Sequence, residues 1–374
     1  MTQLRKYLVV TATMLVCVAL LLAAYGGWLR PSSFGPIPAL AVISYPFWVM
    51  LAAIMGIVLF VARQYRNGTS LLVALIITWP TLTANYPLFK SHISKKETAL
   101  SGQTTFTLMT WNVAGWDEDG KVVRNRENDN MRFILNSKCV IVVLQEASNH
   151  GWAYDNFPST QMMTPEIKAK YPYRSQKGKI ILLSKFPFES HTILPPELNF
   201  QYLGFIIKSY SEMVFDVHIT AQQSLRIVAC HLNSFKLHDD LVQGLDYNGK
   251  LLDKMGESFS KREAHAALLR EKIDTMPSPL ILCGDFNDVP QSCAYRILKS
   301  NDMTDARIAC GRWREPTFRG HHLNFEIDHI LYRGAGLRAM DYRVDKVGIS
   351  DHYPIITKFT VVAGDEQIGS WGAR

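Results

Sequence analysis

Acidic residues are almost absent from the first hundred positions, where Glu97 is the only one. Eight basic residues share that region, so the formal net charge of +7 lies there and the rest of the 374-residue chain is neutral. An excess of basic charge would suggest binding to nucleic acid, but a neutral second part offers no basic surface on the scale of a whole domain. The basic residues instead flank apolar runs, which is typical of membrane-spanning segments.

Paired cysteines are also absent. The six cysteines form no Cys-x-x-Cys, and five of them, an odd number, lie after position 101. Cys230 and Cys283 end runs that look like strands, where a buried thiol is the simplest interpretation. This spacing argues against a disulfide scaffold and against a structural zinc site.

Three long apolar runs fill the N-terminal region and predict transmembrane helices at 7–29, 36–62 and 71–89. Each is long enough to cross a hydrocarbon core of about 30 Å. The third is the weakest, because Pro80, Asn85 and Pro87 interrupt it. A cleaved signal peptide is the alternative for the first run, since Arg5 and Lys6 precede it. The second run would hold the chain in the membrane even then. A buried soluble hairpin would require more polar positions than these runs contain.

The same pattern gives the expected domains: a membrane region at 1–100, a catalytic domain at 101–362 and a polar tail at 363–374. With three spans, the N-terminus and the catalytic domain face opposite sides of the membrane, and four basic residues fall on each side. The leading pair Arg5 and Lys6 favours a cytoplasmic N-terminus, because the first helix usually dominates. We therefore expect a multi-pass protein whose catalytic domain lies outside the cytoplasm.

From position 101 the pattern changes to short β-branched runs with turn residues between them and a few amphipathic segments. The runs predict strands, and 126–136 and 258–276 predict helices. Many strands with few helices between them predict packed sheets with helices outside.

Polar side chains end or interrupt several of these strands. Charged groups at such positions are costly to desolvate unless they are paired or bind a cation. A single aspartate at a strand end is usually a turn or cap residue, and a single histidine is usually a core residue with its own partner. Six such strand ends in one domain predict a shared site at one sheet edge. Their oxygen ligands suit Mg²⁺ or Mn²⁺ better than zinc. The residues are Asn112, Glu146, His231, Asp285, Asn287, Asp328, Asp351 and His352.

The order and spacing of these residues resemble the endonuclease/exonuclease/phosphatase superfamily. The motifs are Asn112, Gln145-Glu146, His231-Leu232, Gly284-Asp-Phe-Asn287, Ile327-Asp-His-Ile330 and Ser350-Asp-His352. The combination of Gly-Asp-Phe-Asn with a later Ser-Asp-His is specific, whereas either piece alone is weak. The resemblance runs from about 105 to 359 and implies a four-layer α/β/β/α sandwich like that of deoxyribonuclease I. It is strongest to a bacterial branch with N-terminal membrane spans, which implies the bacterial inner membrane.

The resemblance also implies a role for each matching residue. Glu146 would hold a Mg²⁺ or Mn²⁺ ion, helped by Asn112 and Asp351. Asp285 would orient or deprotonate the attacking water, and Asn287 would position the water and the phosphate. His352, oriented by Asp328, would stabilise charge on the phosphoryl group, and His231 would be a further phosphate contact.

Four features depart from the family pattern or extend it. Many members have arginine where Glu326 stands, and no Pro-x-x-Cys-Asp-Arg signature is present, which argues against an inositol 5-phosphatase. The segment 233–262 is an expected connector or substrate-selecting lid. His321 and His322 are expected to be an exposed loop pair.

These observations predict a membrane-anchored, Mg²⁺- or Mn²⁺-dependent phosphoesterase that hydrolyses a phosphodiester or a phosphomonoester. A lipid headgroup at the bilayer is one candidate substrate, and nucleic acid and sugar phosphates are others. The alternatives are a nuclease acting on DNA or RNA and a non-catalytic binding protein on the same fold. The second alternative predicts loss of a central site residue, and Glu146, Asp285, Asn287 and His352 are all present. No obligate protein partner is inferred.

Overall fold

The computed structural model describes residues 3–87, 103–118, 121–122, 129–147, 164–175, 180–193, 200–202, 205–207, 212–221, 223–234, 250–320 and 324–362. The N-terminal part is helical. Its helices are α1 (Gln3–Tyr25), α2 (Pro31–Phe34), α3 (Ile37–Ile43), α4 (Tyr45–Val61), α5 (Tyr65–Ile77) and α6 (Trp79–Asn85).

Among the described residues, one continuous helical stretch, Gln3–Trp28, is long and apolar enough to cross a membrane by itself. The pairs α3–α4 and α5–α6 pass the same test only together, and they bend by 66° and 56°. Proline lies in the first turn of both α4 and α6. Proline lacks an amide N–H and clashes with the preceding turn, which explains the bends. By length and composition, the described residues therefore contain one candidate span, or up to three if each bent pair is one span, and the three-span arrangement stays a prediction.

Two hydrogen bonds fix how α1 is aligned with α5 and α6 along the bundle axis. The Tyr25 hydroxyl donates to the carbonyl of Ile77 at 2.5 Å, and the Thr81 hydroxyl donates to the carbonyl of Ala24 at 3.2 Å. The end of α1 and the end of α5 therefore lie at one level. The start of α1 and the turn between α4 and α5 lie at the opposite end of the bundle.

The described residues of the second part form strands and five α-helices. The strands are β1 (Gln103–Asn112), β2 (Asp117–Glu118), β3 (Lys121–Val122), β4 (Ile141–Gln145), β5 (Tyr173–Arg174), β6 (Ile181–Ser184), β7 (Phe188–Thr192), β8 (Phe200–Tyr202), β9 (Phe205–Ile207), β10 (Glu212–Thr220), β11 (Gln223–His231), β12 (Leu280–Asp285), β13 (Thr304–Asp305), β14 (Phe318–Arg319), β15 (Asn324–Phe325), β16 (Asp328–Arg333), β17 (Leu337–Val344) and β18 (Ile355–Val362). The helices are α7 (Asp129–Asn136), α8 (Pro165–Lys170), α9 (Lys250–Asp274), α10 (Cys293–Lys299) and α11 (Ala306–Ala309).

Two six-stranded sheets form the centre of this part. The first has the order β17-β18-β1-β4-β6-β5 and the second β13-β16-β12-β11-β10-β7. Both are mixed, because β1 and β4 are parallel and β11 and β12 are parallel, while their other neighbours are antiparallel. Three short hairpins, β2–β3, β8–β9 and β14–β15, lie outside these sheets.

Apolar side chains lie on both faces of the central strands, which explains their nearly continuous hydrophobic runs. One cluster fills the space between the sheets and includes Leu108, Val143, Phe215, Ile227 and Ile281. The opposite faces pack against helices: α7 and α8 cover the first sheet, and α9 and α10 cover the second. The predicted α/β/β/α sandwich is confirmed.

The predicted helix boundaries need correction. Helix α9 begins at Lys250, eight residues before the predicted start. The last part of the segment expected to be a loop at 233–262 is therefore helical, and 235–249 lies outside the described residues. Helix α7 matches the end of the predicted 126–136 helix. The His321–His322 pair also lies outside the described residues.

We predict that Gly284→Ala destabilises the sandwich. Gly284 lies in β12 with a φ of 138°, and a Cβ there would lie 2.0 Å from the carbonyl oxygen of Cys230 on β11. Strain and overpacking together should lower the free energy of unfolding by about 3 kcal/mol. Thermal melting of the detergent-solubilised chain should show a Tm lower by roughly 6–12 °C.

Gly348→Ala is the matched control. A Cβ at Gly348 meets only a guanidinium nitrogen of Arg319, at 3.6 Å, so its Tm should stay close to that of the parent chain. An equal drop in both variants would contradict the prediction.

Candidate active site

The candidate site lies at the edge where the central strands of the two sheets end. β1, β4, β11 and β12 all deliver a polar residue to this edge at or just after their last position, and β16 delivers one at its first. The strand register fixes these positions, because His231 pairs with Asp285 across the parallel strands and Asp285 pairs with Asp328 across the antiparallel ones. Residues far apart in the sequence thereby meet at one edge.

Asp285 is at the centre of this cluster and is 1% exposed. Its carboxylate accepts the backbone N–H of Asn287 at 2.7 Å and the amide of Asn112 at 3.1 Å. The Nε2 atoms of His231 and His352 lie 3.6 and 3.7 Å from its Oδ2. A buried carboxylate surrounded by donors in this way is held in one orientation, and the donors offset the cost of its burial.

Two residues of the site have backbone conformations that are uncommon outside glycine. Glu146 follows β4 with a φ of 50°, and Asn287 follows β12 with a φ of 51°. Asparagine tolerates this region, and the hydrogen bond from its backbone to Asp285 is typical of such a turn. Glutamate does not favour it, and strain of this kind is concentrated at functional sites. The turn directs the Glu146 carboxylate toward Asn112 and His231, at 3.2 and 3.5 Å.

The side chain of Asn112 links the carboxylates of Glu146 and Asp285 through hydrogen bonds. Its amide nitrogen donates to Glu146 at 3.2 Å and to Asp285 at 3.1 Å, while its oxygen accepts the backbone N–H of Ala114 at 3.0 Å. A metal ligand would need that same oxygen, which has a second lone pair. Its expected role as a ligand stays a prediction, and a role in aligning Glu146 with Asp285 follows from its contacts.

His352 and Asp328 form a buried pair beside Asp285. His352 Nδ1 lies 2.8 Å from Asp328 Oδ2, which leaves Nε2 facing Asp285. Burial opposes the charged imidazole, but the carboxylates of Asp328 and Asp285 outweigh it and raise the pKa of His352 to about 10. For Asp328, burial raises the pKa to about 6, and the charge of His352 opposes this shift. The proton of the pair therefore lies on the imidazole at neutral pH, and the group presented to the site is a cationic donor.

The segment carrying Asp351 and His352 is anchored to β1. The Ser350 hydroxyl donates to the carbonyl of Asn112 at 2.9 Å, and the Trp111 indole donates to the carbonyl of His352 at 2.9 Å. The ring of Phe318 packs on the imidazole with centroids 5.0 Å apart. These contacts hold His352 from three sides.

Negative charge accumulates at the open side of the site. Although Asp351 is exposed, the atoms crowded around its carboxylate desolvate it and raise its pKa, and the charges of Glu146 and Asp285 raise it further against His352. The side chain of Glu146 is 30% exposed. Within the described residues, the carboxylates of Glu146, Asp285 and Asp351 converge with fewer cations than negative charges, which fits a hard divalent ion with oxygen ligands.

A second set of potential metal ligands is less suitable. Ligand atoms of Asp285, Asp328 and His352 lie within 4.8 Å of one another, and all three residues are buried. Asp328 and His352 are hydrogen-bonded to each other, however, and a metal on the imidazole would have to displace its proton. The more accessible Glu146 and Asp351 are better placed to hold an ion, and Asp285 remains beside them.

Sequence reasoning missed one residue that organises the site. Arg262 on α9 is 0% exposed, and its guanidinium donates to the carbonyl of Asn233 at 3.0 Å and pairs with Asp288 at 3.1 Å. Asn233 lies two residues after His231, and Asp288 directly follows Asn287. Arg262 thus ties together the two loops that carry these residues. Its only sequence signal was an arginine on the apolar face of a helix.

Glu326, where the family pattern has arginine, is also explained by the structure. Its buried carboxylate pairs with Arg307 at 2.7 Å and with Arg314 at 3.4 Å. Arg307 also donates to the carbonyl of Asn85 at the end of α6. The substituted position therefore belongs to the contact between the helical bundle and the sandwich.

Comparison with known proteins agrees with this arrangement. The family described as Endonuclease/Exonuclease/phosphatase family matches residues 109–352. No curated protein matches the chain.

Several solved structures are similar. A humanized TDP2 of D. rerio with 14 mutations has 18% identity and a TM-score of 0.48, over 68% of this chain and 98% of that one. An endonuclease/exonuclease/phosphatase from Beutenbergia cavernae has 15% identity and a TM-score of 0.47, over 69% and 72%. Sphingomyelinase C from Streptomyces griseocarneus has 15% identity and a TM-score of 0.44, over 68% and 99%. On the family match, which covers more than half of its length, the chain belongs to the endonuclease/exonuclease/phosphatase family of phosphoester hydrolases.

Proposed function

We propose that this protein is a membrane-anchored, Mg²⁺- or Mn²⁺-dependent phosphoesterase in which water attacks a phosphodiester or a phosphomonoester. The observation that carries the proposal is the set of contacts around Asp285, which lies within 3.7 Å of donors on Asn112, His231, Asn287 and His352. Phosphoryl transfer requires positioning and charge neutralisation more than covalent chemistry, and this cluster offers both.

Each residue has a role that its contacts allow. Asp285 accepts a proton from the attacking water, while the water oxygen forms a bond to phosphorus and the ester P–O bond breaks. The side-chain amide of Asn287 lies beside the Asp285 carboxylate, where it orients the water and a phosphate oxygen. The cationic His352, held by Asp328, neutralises charge that develops on the phosphoryl oxygens. His231 contacts the phosphate from the β11 side.

Glu146 and Asp351 would hold the metal, with Asn112 beside them. The family generally depends on a divalent metal. A bound Mg²⁺ or Mn²⁺ would supply Lewis-acid stabilisation of a phosphoryl oxygen. The converging carboxylates fit this group because they have too few cationic partners among the described residues.

The proposed organisation is a membrane region at 1–100, a catalytic domain at 101–362 and a tail at 363–374. Arg5, Lys6, Arg63 and Arg66 lie at the end of the helical bundle that is remote from the sandwich. The basic residues are equal in number on the two sides, so the leading pair Arg5 and Lys6 on the first helix is the reason to assign this end to the cytoplasm. That assignment puts the catalytic domain outside the cytoplasm, on the far side of a bacterial inner membrane.

We predict that Asp285→Asn lowers hydrolysis of methyl p-nitrophenyl phosphate by about 10²–10⁴-fold, because an amide cannot accept the proton of water. The full chain in detergent is assayed by release of p-nitrophenolate with Mg²⁺ present. Asp216→Asn, on β10 away from the site, is the matched control. Retention of activity in Asp285→Asn would remove this residue from the reaction, and preferential cleavage of DNA by the parent chain would favour the nuclease alternative.

We predict that EDTA abolishes hydrolysis and that Mg²⁺ or Mn²⁺ restores it. Glu146→Gln should weaken Mg²⁺ binding by at least about tenfold, because the carboxylate is replaced by a neutral amide. Isothermal titration calorimetry of Mg²⁺ gives a readout that does not depend on activity. Glu189→Gln, an exposed acid on β7, should bind Mg²⁺ as the parent does. Equal affinity in both variants would exclude Glu146 as a ligand.

We predict that Arg262→Met lowers kcat by about tenfold to a hundredfold with little change in KM, because the loops bearing His231 and Asn287 lose their shared support. Arg262→Lys should recover part of kcat. Arg226→Met is the control. Arg226 lies on β11, five residues before His231, and pairs with Asp216 of β10. If both methionine variants lose stability but keep kcat, Arg262 is structural only.

A further inference from the structure

The helical bundle contacts the sandwich at the same edge that carries the candidate site. Val42 and Ile43 of α3 pack with Val289, which follows Asn287, and with Ile327, which precedes Asp328. The two loops that receive α3 are therefore the loops that bear site residues. The bundle lies on the second-sheet side of the site.

Phe318 brings α3 within two side chains of His352. Phe318 packs against the cluster formed by Val42, Val289 and Ile327, and its ring lies 5.0 Å from the His352 imidazole, centroid to centroid. The side chain of Val42 and the ring of Phe318 therefore separate α3 from the His352 imidazole, which faces Asp285.

Helix α3 lies at the end of the bundle that contacts the sandwich. It precedes the 66° bend into α4 and lies beside the end of α1. Large exposed apolar side chains surround this level, as expected where a bundle enters the interfacial region of a bilayer. They are Trp28, Phe34, Ile37, Phe47 and Trp79.

The sandwich contributes an exposed aromatic side chain at the same level. Trp313 is 56% exposed and packs edge-on against Tyr86, which follows α6, with ring centroids 5.8 Å apart. Tryptophan and tyrosine are enriched where a membrane protein meets the interfacial region of the bilayer. The position of Trp313 beside α6 makes the bilayer interface the partner within reach.

Several polar contacts hold the sandwich in this orientation. Arg307 donates to the carbonyls of Asn85 and Ala84 at 3.1 Å each. On α9, Glu263 accepts both the backbone N–H and the hydroxyl of Ser32 at 3.0 Å. The buried partners make these bonds costly to break, so the site edge is held toward the bilayer.

We propose that the substrate is an amphiphilic phosphoester seated in the same bilayer, with its headgroup phosphate reaching the site from the interface. This rests on the proposed function. The water oxygen bonds to phosphorus while Asp285 takes the proton of the water and the P–O bond to the leaving alkoxide breaks. The alkoxide then takes a proton from solvent and leaves as the alcohol. The lipid keeps its apolar chains in the bilayer throughout.

The charges at this edge favour a lipid over a nucleic acid. Nucleic acids bind through several lysines or arginines that are free to neutralise phosphates. Of the described arginines near the site, Arg262 pairs with Asp288 and both Arg307 and Arg314 pair with Glu326. Arg319, whose backbone N–H donates to the carbonyl of Asp351, is exposed beside the site and could contact a single headgroup phosphate. The accessible charges of Glu146 and Asp351 would repel a polyanion but could share a cation with one headgroup phosphate.

The test compares two esters that share one reacting centre. Methyl p-nitrophenyl phosphate is soluble, whereas hexadecyl p-nitrophenyl phosphate is anchored in phosphatidylcholine nanodiscs that also hold the full chain. Release of p-nitrophenolate is measured for both. We expect kcat/KM for the hexadecyl ester to be higher by about tenfold or more, because the bilayer concentrates and presents it. Added phosphatidylcholine should dilute the hexadecyl ester in the bilayer surface and lower its rate of hydrolysis. The rate for the methyl ester should stay unchanged.

Trp313→Ala should lower cleavage of the hexadecyl ester by about threefold or more and leave the methyl ester unchanged, because the interfacial contact is lost. Tyr173→Ala, a similarly exposed aromatic on β5, should change neither rate. Equal kcat/KM for the two esters, or an unaltered hexadecyl rate in Trp313→Ala, overturns the bilayer substrate and leaves the proposed function standing. Cleavage of neither ester by the parent chain overturns the proposed function itself.

Discussion

The buried carboxylate of Asp285 imposes the main constraint on this molecule. A charge that is 1% exposed at the end of a hydrophobic strand is tolerated only if donors surround it. Asn112 and the Asn287 backbone donate to it, and His352 offers a positive charge nearby. Each donor comes from a different strand end or loop, so the carboxylate is held only when both sheets are correctly assembled. The requirement for a stable fold and the requirement for an ordered site coincide at this residue.

The cationic state of His352 follows from the same arrangement. Asp328 lies opposite Asp285 in the register of β12 and β16, so two carboxylates flank one imidazole. Their combined field outweighs desolvation and keeps the ring protonated. A protonated ring is a poor metal ligand and a good partner for phosphate. The proposed division between a cation-binding side at Glu146 and Asp351 and a phosphate-stabilising side at His352 would therefore be electrostatic in origin.

The helical bundle and the sandwich behave as one structural unit in the described residues. Glu326, Arg307 and Arg314 form a buried ion-pair cluster against the end of α6, and α9 carries adjacent residues with different partners. Glu263 binds Ser32 of the bundle, while Arg262 binds the loops of the site. Glu326 thus takes part in attaching the bundle to the sandwich. One helix, α9, therefore supports both the attachment of the bundle and the geometry of the site.

In the sequence, strand patterning predicted packed sheets with helices outside, and polar strand ends predicted a shared site, because both are local signals. The four-layer sandwich and the roles of the candidate residues came from the resemblance of the motifs to a known family. The sequence also indicated apolar helices before position 100, but not the bends of α3–α4 and α5–α6 or the early start of α9. Tertiary structure decided the rest. The link that Asn112 makes between two carboxylates, the support from Arg262 and the approach of α3 to His352 through Phe318 all depend on contacts between distant segments. Hydrophobic patterning specifies which face of a segment is buried, but only the assembled sheets specify what that face meets.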